Sequence, residues 1–212
     1  MEIKYYGANC VRIVTKKKSI TIDDNIKKLG GKTVAKPEDA VFLTNKLIFS
    51  RDDYSEDMFV VGNPGEYELG NIMVQGFSVK SHLDHENDKN GVIYKLVIDR
   101  TSIVILGHVD PLSVEGLLED IGIVDVLFLP VGGNGYTLNS HDALKLAHKI
   151  DPRIIVPTHY HDKELKYEVA QEPVEAFLKE LNQETEELDS LKTKPGSVIE
   201  SGSAKVILLK KS

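Results

Sequence analysis

The histidines His159 and His161 are the residues of this chain most obviously able to take part in chemistry. They follow a short apolar segment at positions 154–157, and imidazole serves as a general base or metal ligand near neutral pH. A glycine-rich loop at 132–135 follows the apolar segment 124–131. Ligands of open α/β sheets bind beyond the carboxyl ends of the strands, so we expect a site where this loop and His159 meet.

The elements that must position this site alternate between short apolar segments and amphipathic helices, the pattern of an α/β fold. Two strand-rich blocks with helices outside them predict a four-layer αββα sandwich, formed by one domain over residues 1–212. The predicted strands lie within 2–23, at 40–43, within 59–106, and at 124–131, 154–157 and 206–209, and the predicted helices at 111–121, about 140–150 and 173–181.

Composition excludes several classes of protein. The net charge of −7 weighs against nucleic-acid binding, which requires a basic surface. No apolar segment is long enough to span a membrane, and Met1 leads directly into a predicted strand with no signal peptide. The single cysteine, Cys10, cannot form an internal disulfide and is predicted to be a buried thiol. These features predict a cytoplasmic protein; a homo-oligomer or a protein partner is left open.

Several motifs, in order, resemble the metallo-β-lactamase superfamily, in particular small hydrolases related to ascorbate-phosphate lactonases. They are the opening MEIKYYGANCVRI, the strand that ends at Asp23-Asp24, the segment NPGEYE at 63–68, LPVGG at 129–133, Tyr136-Thr137, VPTHY at 156–160 and the segment 177–209. The resemblance implies the αββα fold and, in the family, metal-dependent hydrolysis.

The resemblance also locates what this chain lacks. The family's His-x-His-x-Asp-His loop falls on Asn45, Leu47, Phe49 and Ser50. Leucine and phenylalanine cannot bind a metal, and asparagine and serine are poor ligands for zinc. We expect Asn45 and Ser50 to fill the former metal pocket by hydrogen bonding, and Leu47 and Phe49 to make it drier.

Three other family positions carry histidine: His82 on a loop, His108 in place of a bridging aspartate, and His159. Three imidazoles can hold one Zn²⁺ with a water whose pKa falls to about 7. An alternative is therefore a mononuclear hydrolase with one zinc or manganese ion. Structural roles are equally open: a solvated His82, a His108 bonded to a loop carbonyl, and a His159 that ties loops together. The candidates for assisting groups are Asp110, Glu66, His85 and His161.

The glycines at 132–135 lack the spacing of a phosphate-binding or dinucleotide-binding loop, and a tight turn explains them equally well. The leading hypothesis is a metallo-β-lactamase-fold protein that has lost its metal ligands, needs no cofactor and acts in binding or assembly. The alternatives are the mononuclear hydrolase and a module that binds a small anionic metabolite.

Overall fold

Two β-sheets pack face to face in the computed structural model of the chain, which describes residues 1–193 and 204–212. The middle of the predicted family-like segment 177–209 therefore lies outside the described residues. The strands are β1 (Glu2–Gly7), β2 (Cys10–Val14), β3 (Ser19–Ile22), β4 (Ala40–Phe42), β5 (Phe59–Val61), β6 (Gly65–Leu69), β7 (Ile72–Val79), β8 (Gly91–Ile98), β9 (Thr101–Ile105), β10 (Val126–Pro130), β11 (Ile154–Thr158), β12 (Thr185–Leu188), β13 (Leu191–Lys192) and β14 (Lys205–Leu209).

Within the described residues one sheet has the order β13-β1-β2-β3-β4-β5 and the other β12-β14-β11-β10-β9-β8-β7-β6. Burial alternates along β1, so Ile3 and Tyr5 enter the core between the sheets while Glu2 and Lys4 do not. Strands β10 and β11 are parallel and buried at every residue, as expected where both faces of a sheet are covered. The predicted α/β sandwich is confirmed.

Helices cover the outer face of the second sheet. They are α1 (Pro111–Glu115), α2 (Leu118–Ile121), α3 (Ser140–Ile150) and α4 (Val174–Leu181). Asn139 caps α3 by accepting a hydrogen bond from the backbone N–H of Asp142. Turns and one 3₁₀ turn, Arg51–Asp53, cover the outer face of the first sheet. Nowhere in the described ranges is a helix long and apolar enough to cross a membrane.

Two predicted elements differ from the structure. The single helix predicted at 111–121 is two short helices, because the chain turns at Gly116 and Leu117. The helical pattern places Leu112 on the apolar stripe, but its side chain is 71% exposed. The sequence predicts a turn at Asn63-Pro64-Gly65, but β6 begins at Gly65 and forms an edge of its sheet. Pro64 and Gly65 read locally as a turn, whereas pairing with β7 decides the structure.

Candidate functional site

A buried polar network joins the ends of four strands at the edge where a site was expected. The carboxylate of Asp23, just after β3, accepts hydrogen bonds from the backbone N–H (2.7 Å) and hydroxyl (2.6 Å) of Thr44 and from Asn9 Nδ2 (2.8 Å). Asn9 also donates to the carbonyl of Leu106 and accepts from the hydroxyl of Thr158. The network therefore fixes the starting points of the loops that carry residues 45–50, 107–110 and 159–172.

Three histidine rings lie together above this network. The ring centroids of His108 and His159 are 4.9 Å apart, and those of His82 and His108 are 5.7 Å apart. The Tyr136 ring lies 4.6 Å from His108 and 5.7 Å from His159. His108 and His159 are 1% and 2% exposed, whereas His82 is half-buried. The strand ends thus bring together the three histidines that the sequence singled out.

Hydrogen bonds determine which nitrogen of each buried imidazole carries the proton. His108 Nδ1 lies 2.9 Å from the carbonyl oxygen of Tyr136, which can only accept, so Nδ1 is the donor. His159 Nδ1 lies 3.1 Å from Gln171 Oε1, and the Gln171 amide is oriented because its Nε2 donates to the carbonyl of Val169. In the neutral ring, Nε2 of both histidines therefore carries a lone pair.

Burial keeps these rings neutral. Removal from water lowers the pKa of His159 to about 4, and burial together with the neighbouring His159 holds the pKa of His108 well below its ordinary value. Burial also lowers the pKa of His82, although Asp84 opposes the shift. Within the described chain, both ring nitrogens of His82 and Nε2 of His108 are buried without a hydrogen-bond partner. The cluster is a group of uncharged rings with free acceptor nitrogens.

A cavity of about 390 Å³ lies beside the three histidines, and His159 and Tyr136 form part of its lining. Apolar side chains make up much of the remaining wall, and charged side chains lie at its rim. The apolar residues are Leu29, Leu47, Ile48, Leu83 and Val169. The charged residues are Lys28, Lys166 and Glu168. We call this cavity the cleft.

Comparison with known proteins identifies the fold family. Residues 2–159 match the family described as the beta-lactamase superfamily domain. The chain is a member of the metallo-β-lactamase superfamily. It is 26% identical over 198 residues to a UPF0173 metal-dependent hydrolase of Lysinibacillus sphaericus, with 76% of this chain and 86% of that protein covered. A UPF0173 protein of Pyrococcus abyssi is 27% identical over 184 residues, with 76% and 83% covered.

A solved structure supports the same fold. The chain matches a protein of Thermotoga maritima, described as a candidate Zn-dependent hydrolase of the metallo-β-lactamase superfamily, with a TM-score of 0.71 and 21% identity. The match covers 98% of this chain and 97% of that protein. At this identity the similarity establishes the fold alone.

The four positions aligned with the superfamily's metal-binding loop have different surroundings. Asn45 is fully buried, and its Oδ1 accepts a hydrogen bond from the backbone N–H of Leu47 at 2.8 Å, while its Nδ2 has no partner among the described residues. Phe49 is 6% exposed and its ring centroid lies 6.3 Å from that of His108. These two side chains therefore occupy buried positions.

Two of these predictions were wrong. Ser50 is exposed and caps the 3₁₀ turn Arg51–Asp53 through a hydrogen bond from Asp52 N–H, so it does not fill a pocket. Leu47 is 57% exposed at the cleft, so it does not exclude water from the buried part of the site. The loop turns outward after Asn45. The hydrogen bond from the backbone N–H of Leu47 to Asn45 Oδ1 stabilises this turn, which places Leu47 away from the core.

Of the side chains expected to assist the histidines, Asp110 has a structural role and the other three are exposed. Asp110 caps α1 through hydrogen bonds from Leu112 N–H (2.9 Å) and Ser113 N–H (3.2 Å). Glu66 is exposed on the edge strand β6, and His85 and His161 are exposed on loops. In the part of the chain that the structure describes, no group of three or more His, Cys, Asp or Glu side chains is arranged to hold a metal ion.

Sequence reasoning missed Gln171, which orients His159, and the lysines at the rim. Gln171 lies on the loop between His159 and α4, and no motif in the sequence around it indicates a role in the site. Gly132 offers a signal in retrospect, because a Cβ there would collide with Gln171 Oε1 and the carbonyl of His159. His159 itself adopts φ +51°, and its N–H donates to the Ala8 carbonyl at 2.6 Å.

Proposed function

We propose that this protein is a non-catalytic member of the metallo-β-lactamase superfamily, and that its cleft serves binding or assembly instead of metal-dependent hydrolysis. The supporting observation is the packing of Phe49 against His108 where the superfamily's loop supplies metal ligands. A phenyl ring has no lone pair for a metal and excludes the water that a hydrated metal centre requires.

The donor set supports the same proposal. A two-metal centre needs carboxylate and imidazole ligands on both sides, and the aligned positions offer Asn45, Leu47, Phe49 and Ser50 on one side. On the other side, His108 stands where a carboxylate bridges two metals in the family. A neutral imidazole cannot replace a bridging carboxylate with the same charge. The similarity to proteins named metal-dependent hydrolases therefore supports the fold more strongly than it supports metal-dependent hydrolysis.

A second candidate is a mononuclear hydrolase, and the buried unpartnered nitrogens of His82 and His108 favour it. With Nε2 of His159 they would supply three neutral imidazoles, the ligand type that zinc prefers. The bound ion would acidify a water for attack on a substrate. Gln171 and the Tyr136 carbonyl would hold the imidazoles in the tautomer that leaves Nε2 free.

Hydrolysis assays separate the two candidates. The purified protein is incubated with Zn²⁺ or Mn²⁺ and with a chromogenic phosphodiester, a lactone and a β-lactam. The proposal predicts rates no higher than those of the metal alone. Turnover that is lost in His159→Ala and kept in His148→Ala, a change at an exposed histidine of α3, would favour the mononuclear hydrolase instead.

A further inference from the structure

The geometry points to a ligand for the cleft: we propose that it binds a small organic anion with an apolar, ring-sized body and a hydrogen-bond donor for His159. This inference rests on the proposed function, because it assigns the cleft to an organic ligand instead of a metal centre. Three features carry it: the nitrogen of His159, the lysines at the rim, and the apolar wall between them.

His159 provides an acceptor at the inner end of the cleft. The residue lines the cavity and is 2% exposed, and its Nδ1 is committed to Gln171. The nitrogen left for a ligand is Nε2, which carries a lone pair and accepts but does not donate. A ligand that presents an N–H or hydroxyl group satisfies it, whereas a carboxylate pressed against it would repel the lone pair.

Two lysines supply positive charge at the rim. Lys28 lies 2.7 Å from Asp53 and is partly neutralised by it. Lys166 is exposed and takes part in none of the ion pairs found within the described ranges, so it is the stronger attractor of an anion. Glu168 lines the same rim and opposes the lysines. The anionic group of the ligand therefore lies toward Lys166 and away from Glu168.

The apolar side chains that line the cleft between His159 and the lysines favour a ligand with an apolar body. Leu47 and Leu83 are 57% and 42% exposed at the cleft, more than large aliphatic side chains usually are. Ile48, Val169, Tyr136 and Tyr167 line the same cavity. A cavity of about 390 Å³ is within the range of small-molecule sites. Covering these leucines removes apolar surface from water and favours ligands with a ring or a short alkyl body.

Fluorescence titration with anilinonaphthalene sulfonate tests this assignment, since that probe has an aromatic body, one sulfonate and an N–H donor. The neutral relative N-phenylnaphthylamine has the same body and donor without the charge. We expect one saturable sulfonate site per chain. Lys166→Gln should weaken the sulfonate by about fivefold and Glu168→Gln should strengthen it, with the neutral probe unchanged in both variants.

Matched controls keep the test decisive. Lys145→Gln, on the exposed side of α3, changes the net charge equally and should leave both probes unchanged. Leu83→Asp should weaken both probes, with melting temperature measured to show that the fold is intact. Equal sulfonate affinities in Lys166→Gln and Lys145→Gln, or binding without saturation, would overturn the inference. A metal-loaded protein that still shows this pattern would overturn the proposed function and the role of His159 as acceptor, and would leave the contributions of Lys166 and the apolar side chains standing.

Discussion

His159 Nδ1 donates a hydrogen bond to Gln171 Oε1 at 3.1 Å, and Gln171 Nε2 donates to the Val169 carbonyl at 2.7 Å. The two bonds determine the tautomer of a buried imidazole whose backbone is in the left-handed region. Gln171 is therefore a positioning residue for the centre of the candidate site, and the close approach of Gly132 makes room for it.

Gln171→Leu should lower the free energy of unfolding by about 1–3 kcal/mol, because the His159 N–H would be left buried without an acceptor. Urea denaturation measures the change. Gln183→Leu, at an exposed position after α4, is the control and should change stability by less than about 0.5 kcal/mol. Equal stability of the two variants would show that the hydrogen bond between His159 and Gln171 does not stabilise the fold.

Gly107→Ala should destabilise the protein, because a Cβ at this position would collide with the hydroxyl and Cβ of Thr44, which Asp23 holds in place. Overpacking of this kind costs about 1–3 kcal/mol. Gly116→Ala is the matched change: its Cβ would meet no atom closer than 3.7 Å and its φ is −69°. Thermal unfolding should separate the two variants, and equal melting temperatures would contradict the close packing at Gly107.

Stability should fall as the pH is lowered through the range in which free histidine titrates. The pKa of His159 is about 4 in the folded protein against 6.5 for an ordinary histidine, and the pKa of His108 is also depressed by burial. Between these values the unfolded chain binds protons that the folded chain does not, so acid favours unfolding. Asp23 acts in the opposite sense, because burial raises its pKa from 3.8 to about 6. Two histidines outweigh one carboxyl group.

Urea unfolding of the metal-free protein at several pH values measures this slope. His159→Asn removes one of the two contributions and should flatten it, since asparagine tolerates the φ of +51°. His148→Asn, at an exposed position, should leave the slope unchanged. A stability that rises on acidification from about pH 6.5 would contradict this account and would mean that the raised pKa of Asp23 outweighs the lowered pKa values of the histidines.

The sequence predicted the fold because local patterns and tertiary structure agree along most of the chain. Alternation in residues 2–23 gives β1 to β3, and the continuous apolar segments give the parallel strands β10 and β11. Prediction failed where pairing overrides local chemistry. Edge strand β6 forms from a Pro-Gly segment, and residues 185–188 and 191–192 form strands within an acidic stretch.

The site could be predicted only in part. His82, His108 and His159 come together because each follows a strand end at the same edge of the fold. The exposure of Ser50 and Leu47 depends on how one loop turns, and the resemblance to the family's motif does not specify that turn. The contacts of Gln171 and Lys166 depend on the path of the loop that follows His159, and no motif in the sequence specifies that path.

The metal content of untagged protein tests the central claim most directly. The protein is purified, incubated with Zn²⁺ or Mn²⁺, dialysed and measured by inductively coupled plasma mass spectrometry beside His159→Ala. We expect no stoichiometric metal in either protein. About one equivalent of metal in the wild type, lost in His159→Ala, would contradict the claim and establish a mononuclear centre.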